Sequence, residues 1–205
     1  MLEAAALFFI LFFPATQSAA ASSPVAIITQ SLFWRVPAIV LIILLLENQE
    51  PLRIKTAFFT LAAALPALAL TGFLASFFAT RTGYLPPEPI APPSGAPGWA
   101  AAVLLSFSTG YLEEAYFRVY LPRRFLDTPQ ASSPRAIAAA FTASGIIFAL
   151  CHAYEGPFGI LNAGLAAAVL SLAYIKSSSF HGIALAHGFY NCLVFLGAAF
   201  ATGWK

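Results

Sequence analysis

TAFFTLAAALPALALTGFLASFFAT, residues 56–80, runs for 25 residues without a charged side chain. A helix needs about 20 apolar residues to cross the hydrocarbon core of a bilayer. Working outward from this stretch, the pattern recurs at Pro24 to Leu46, Trp99 to Leu121, Ala136 to His152, Pro157 to Ile175 and Phe180 to Gly203. A shorter apolar run, Leu2 to Pro14, stands at the N-terminus. The expected fold class is therefore all-α. It is a polytopic membrane protein of about seven transmembrane helices, the last four forming a C-terminal core.

Composition agrees. Of 205 residues, 60% are hydrophobic and 9% charged, and mean hydropathy is +0.83. A soluble domain carries about 25% charged residues. Ten basic and eight acidic residues cannot cover a soluble globule of this size, which excludes an ordinary soluble enzyme and a disordered chain. Net charge is only +2, and no basic run interleaves with aromatics, so no nucleic-acid partner is expected. The apolar runs lack the ~10-residue alternation of an outer-membrane barrel strand. Cys151 and Cys192 lie inside apolar stretches and read as buried free thiols rather than a disulfide framework.

The loops suggest an organisation. The apolar stretch Ala4 to Phe13, followed by small residues, resembles a signal peptide, but Glu3 and the lack of Lys or Arg before it favour a retained first helix. Counted over seven spans, Arg53, Lys55, Arg123, Arg124, Arg135 and Lys176 fall on one side and Arg81 and Lys205 on the other. The positive-inside rule puts the first side and the N-terminus in the cytoplasm, as in a bacterial plasma membrane. The stretch 84–98 holds Pro86, Pro87, Pro89, Pro92, Pro93 and Pro97 and reads as an extended outer loop. It separates N-terminal membrane helices (1–83) from a core at 99–205. No internal repeat is visible.

Ionisable groups inside a membrane span are expensive and are functional candidates by default. The C-terminal half concentrates them: Glu113, Glu114 and Arg118 in the fourth span, His152 at the end of the fifth, and His187 with Asn191 in the seventh. Glu114 and Arg118, at i and i+4, share a helix face and should form a structural ion pair. Glu113 faces elsewhere. A spare carboxylate in low dielectric suits general acid/base work. His187 and Asn191 also share a face, and an amide beside an imidazole can fix its tautomer or donate to an oxyanion. Phe148, one turn before His152, walls that imidazole. His181 reads as interfacial and Glu155 as a solvated loop carboxylate. Arg35, midway along the second span, binds a carboxylate of substrate or protein, or snorkels; a structural pairing is the favoured expectation.

These residues reproduce a family pattern in order. Glu113-Glu114-x-x-x-Arg118, Phe148-x-x-x-His152 and His187-x-x-x-Asn191 resemble the three motifs of the CPBP family of intramembrane proteases, which includes Rce-type CAAX prenyl endopeptidases and bacteriocin self-immunity proteins. The resemblance covers Trp99 to Gly203. It implies a helical intramembrane endopeptidase acting on a membrane-anchored or lipidated protein. The reaction would be CAAX-type cleavage or, as the long Pro-rich loop suggests, processing of a C-terminal sorting signal. Glu113 and His152 would activate water, and His187 and Asn191 would stabilise the oxyanion. The implied mechanism uses no cofactor, and the His-Glu-x-x-His zincin signature is missing. Glu113, His152 and His187 are nonetheless adequate zinc ligands, so a zinc protease is the alternative. A non-catalytic scaffold or immunity protein, and a proton-coupled transporter, are the other classes.

One geometric tension needs a structural answer. Glu113 lies roughly 21 Å along its helix from Trp99, and His152 roughly 24 Å along an antiparallel helix from Ala136. In a core about 30 Å thick they would miss each other by roughly 15 Å. Either the fifth helix begins outside the membrane, or the turn at Glu155-Gly156-Pro157 is re-entrant; the second is the expectation.

Overall fold

The computed structural model describes residues 2–12, 23–45, 53–83, 91–127 and 133–201. The expectations for residues 13–22, for the Pro-rich stretch at 84–90 and for 202–205 lie outside them. The described residues form seven helices and no strand. In chain order α1 is Leu2–Phe12, α2 Pro24–Leu45, α3 Ile54–Thr82 and α4 residues 95–125. Then follow α5 Pro134–Leu150, α6 Gly156–Ser177 and α7 Phe180–Ala201. The protein is an all-α, polytopic membrane protein. Five helices (α2, α3, α5, α6 and α7) are long and apolar enough to cross a bilayer. α4 has the length but carries five of the charges. α1, with 11 residues, reaches only about 16 Å, half a hydrocarbon core.

Local chemistry sets the helix starts. Ser23 caps α2, its Oγ accepting the Ala26 N–H at 3.3 Å, and Ser133 caps α5, accepting from Ala136 at 3.1 Å. Both caps precede a proline at the first helical position, where its missing N–H costs nothing.

Packing between helices relies on small residues, as expected where lipid removes the hydrophobic drive for association. A Cβ on Gly110 of α4 would sit 2.9 Å from the Gly188 nitrogen of α7. A Cβ on Gly182 would sit 2.9 Å from the Ala57 carbonyl of α3. Glycine at these two positions lets α7 press backbone to backbone between α4 and α3. α1 lies antiparallel against the end of α4. Tyr116 Oη donates to the Ala4 carbonyl at 2.7 Å, while Tyr120 Oη and Arg124 Nη2 both donate to Glu3 Oε1, at 3.0 and 3.1 Å.

Two helices are interrupted by wide π turns, Ser31–Arg35 in α2 and Ala115–Tyr120 in α4. The Val36 N–H reaches back five residues to Ser31, and Leu121 to Tyr116. Each turn ends two residues before a proline, Pro37 or Pro122. A proline ring clashes with the carbonyl four residues back and supplies no donor, and widening the preceding turn relieves that clash. α3 absorbs Pro66 without one. In α4 the wide turn leaves the Phe117 carbonyl with no helical donor, because the residue five positions on is Pro122. Ser144 Oγ of α5 donates to it instead, the remedy expected where a hydroxyl can reach a freed carbonyl in a membrane.

That bond fixes the depth of α5. The Phe148 ring, one turn beyond Ser144, rests on Phe117 with centroids 5.1 Å apart. α5 therefore ends level with the Glu113–Glu114 turn, roughly 27 Å short of the start of α4. The connection His152–Gly156 turns back at that level through a tight 3-10 turn, Ala153–Glu155. Gly156 has φ +74. At the other end, α5 begins roughly 21 Å before Phe148, whereas α4 continues only about 10 Å beyond Arg118. The mismatch is thus closed from both ends: the turn lies inside the span of α4, and α5 also overhangs the end of α4.

Candidate active site

α4, α5 and α7 bring most of the motif residues together. Glu114 is fully buried and has two neighbours: its Oε1 lies 2.8 Å from His187 Nδ1 and its Oε2 3.2 Å from Arg118 Nε. The carboxylate only accepts, so Nδ1 of His187 carries a proton and its Nε2 faces the other way. There Glu113 Oε2 stands 3.6 Å off. The Glu113 side chain is 15% exposed against none for Glu114, so of the two carboxylates only Glu113 is within reach of water or substrate.

Arg118 is buried, and its guanidinium lies over the Phe148 ring at 4.3 Å, a cation–π contact strengthened by desolvation. Its Nε–Oε2 approach to Glu114 is close but poorly aligned. Among the described residues none of its three nitrogens has a well-formed hydrogen bond. The charge is thus held by proximity and by the aromatic face rather than by a fork-on-fork pair.

His152 sits just past the end of α5. Its Nδ1 lies 2.9 Å from the Phe148 carbonyl. A carbonyl only accepts, so Nδ1 carries a proton and Nε2 is turned away from the Phe148 carbonyl. The ring is flanked by Phe148 at 4.7 Å and Tyr154 at 6.1 Å. No nitrogen of His152 comes within 4 Å of a Glu113 oxygen, so the two do not form an ion pair. Phe148 touches both imidazoles, with His187 at 6.3 Å.

Asn191 lies one turn beyond His187 on α7. It is half-buried and makes no hydrogen bond among the described residues, so Glu114 rather than Asn191 holds the His187 ring. His181 stands at the start of α7, six residues before His187, and lies 3.4 Å from Tyr111 Oη. Among the described residues no three His, Cys, Asp or Glu side chains are arranged to hold a metal ion.

The segment carrying these groups resembles a known family. Type II CAAX prenyl endopeptidase Rce1-like proteins match residues 95–193. Those residues belong to the Rce1-like family. No curated protein and no solved structure is significantly similar to the chain. The Rce1-like segment runs from the start of α4 into α7 and holds every motif residue. The family is one of endopeptidases of membrane-associated substrates. The long apolar helices make this protein an integral membrane one.

Beyond the motifs, the structure adds Ser144, Tyr154 and Ser31 to the surroundings of the site. None stands out in the sequence, because serine and tyrosine are ordinary in apolar helices. Arg35 did stand out, and the structure gives it no protein carboxylate among the described residues.

Proposed function

We propose that the protein is an intramembrane endopeptidase that hydrolyses a peptide bond of a membrane-associated protein without a metal cofactor. The observation that carries this reading is the contrast within the glutamate pair. Glu114 is spent on His187 and Arg118, while Glu113 remains accessible beside an imidazole that Glu114 has already oriented. The family match favours CAAX-type cleavage over sorting-signal processing. Residues 1–83 would wall the chamber, and 99–205 would carry the chemistry.

In this reading a water lies between Glu113 and His152. Glu113 takes one of its protons as the oxygen attacks the substrate carbonyl carbon. The carbonyl π pair moves to oxygen, and the resulting oxyanion is met by the Asn191 amide and by His187 in its imidazolium form, which donates from Nε2 while Glu114 holds the Nδ1 proton. Collapse of the tetrahedral intermediate breaks the C–N bond, and the proton held by Glu113 passes to the leaving amine. Glu114 acts as the positioning group that keeps Nε2 turned toward the reacting atoms, as a buried carboxylate does in a catalytic triad.

Glu113→Gln tests the core of this. The purified variant should keep the yield and melting temperature of the unaltered chain and lose cleavage of a prenylated CAAX reporter peptide in detergent. Full retention of cleavage would remove the glutamate mechanism, and a wild-type chain that cleaves nothing would favour the scaffold reading. Elemental analysis provides the metal test. Purified protein should carry no stoichiometric zinc, and zinc that is present and then lost in His152→Ala would reinstate metal-activated water.

A further inference from the structure

Arg35 is the buried charge that this mechanism does not use. It lies in the π turn Ser31–Arg35 of α2, outside the segment matched by the family. Ser31 is fully buried and Arg35 is 4% exposed. Arg35 Nη1 donates to Ser31 Oγ at 3.3 Å, and no other hydrogen bond of Arg35 is found among the described residues. The turn that carries it packs against the Gly95–Glu114 part of α4, and Glu113 at the end of that part is within its electrostatic reach, yet no Glu113 oxygen comes within the 4 Å of an ion pair, and Glu113 turns instead to His187.

A buried cation with no anion beside it costs several kcal/mol. Here the cost is borne near Glu113, the more accessible carboxylate of the Glu113–Glu114 pair. The donors are also arranged for an incoming acceptor. A guanidinium has five N–H groups in a flat fork that matches a carboxylate, and one of the five is spent on Ser31. The Ser31 oxygen accepts that bond, which leaves its own hydrogen to donate. The pair thus offers several donors to an incoming acceptor. We propose that Arg35 and Ser31 form a subsite for a carboxylate of the substrate, seated beside Glu113. This rests on the endopeptidase reading and deepens it: an anion fixed there would set the cut at a short, constant distance from it along the substrate. The carboxylate has two possible sources, the free C-terminus of the substrate or an Asp or Glu side chain near the cleaved bond.

Three fluorescent farnesylated peptides separate these sources: one ending in a free carboxylate, its C-terminally amidated twin, and the amidated twin with an Asp at the penultimate position. Binding is read by fluorescence anisotropy on the full chain carrying Glu113→Gln, so that no turnover intervenes. The free-acid peptide should bind about 30-fold more tightly than the amide. A second Arg35→Gln substitution should erase that ratio, and Arg35→Lys should largely keep it. If the side-chain carboxylate is the source, the preference moves to the Asp peptide and is again erased by Arg35→Gln. Equal binding of all three peptides, no binding at all, or a ratio that survives Arg35→Gln would overturn the subsite. The acid-to-amide comparison needs no change at Arg35 and so stands even if Arg35→Gln fails to fold. Cleavage by the wild-type chain is scored separately. Discrimination without cleavage keeps the subsite and removes the protease, whereas cleavage without discrimination does the reverse.

Discussion

Glu114 bridges His187 and Arg118, and each of its partners is buried with it. Removing it, or Arg118, strands a charge in low dielectric. Glu114→Ala or Arg118→Ala should therefore lower stability by about 3–5 kcal/mol, read as a lower melting temperature in detergent. Glu113→Ala should leave melting unchanged or slightly raised while abolishing turnover. Equal destabilisation at 113 and 114 would end the division of roles between them. The sequence alone already separates the two glutamates, because i,i+4 spacing puts Glu114 and not Glu113 over Arg118. The bond from Glu114 to His187 is not readable there. It depends on how closely α4 and α7 approach, which Gly110 and Gly188 set only once both helices are in place. Arg35 is legible as an anomaly, but its hydrogen-bond partner, a serine one turn earlier on its own helix, is not.

At the scale of elements, apolar run length locates each of the described helices, although their lengths run from 11 residues in α1 to 29 in α3. It does not disclose the π turns. Periodicity treats every turn as equal, and the cue is instead a proline two residues downstream of each. Pro122, the freed Phe117 carbonyl and Ser144 form a causal chain that can be tested as one. Ser144→Ala should cost about 1–3 kcal/mol by leaving a buried carbonyl unpaired. In a Pro122→Ala background the restored N–H at 122 can serve Phe117, so the same substitution should cost markedly less. Equal costs in the two backgrounds, measured by thermal melting, would break the link between proline, wide turn and serine. The position of the connection at 152–156, level with the Glu113–Glu114 turn of α4, is signalled in the sequence only by a depth mismatch. The overhang of α5 needed the Phe148–Phe117 contact to appear.

For the molecule as a whole, the bundle has one strongly basic end. Glu3 of α1 joins Arg124 there, and Arg53 lines a cavity of about 170 Å³ with Ser177, Ser178, Ser179 and His181. The positive-inside rule would put this end in the cytoplasm. With Cys151 and Cys192 replaced by alanine, a cysteine at Ser94 should react with an impermeant maleimide in intact cells. One at Ser178 should react only after the cells are opened, and the reverse pattern would invert the protein. The wide turns also bear on how such a fold is inherited. Each turn closes over five residues where an α turn closes over four, so each is the footprint of a single inserted residue. A relative with an unbroken fourth helix would have to delete one residue within Ala115–Tyr120, and give up Pro122 with it, to keep the rest of that helix in phase with α5. Divergence at this point of the catalytic helix should therefore be recorded as a one-codon gap coupled to the loss of a proline, rather than as gradual substitution.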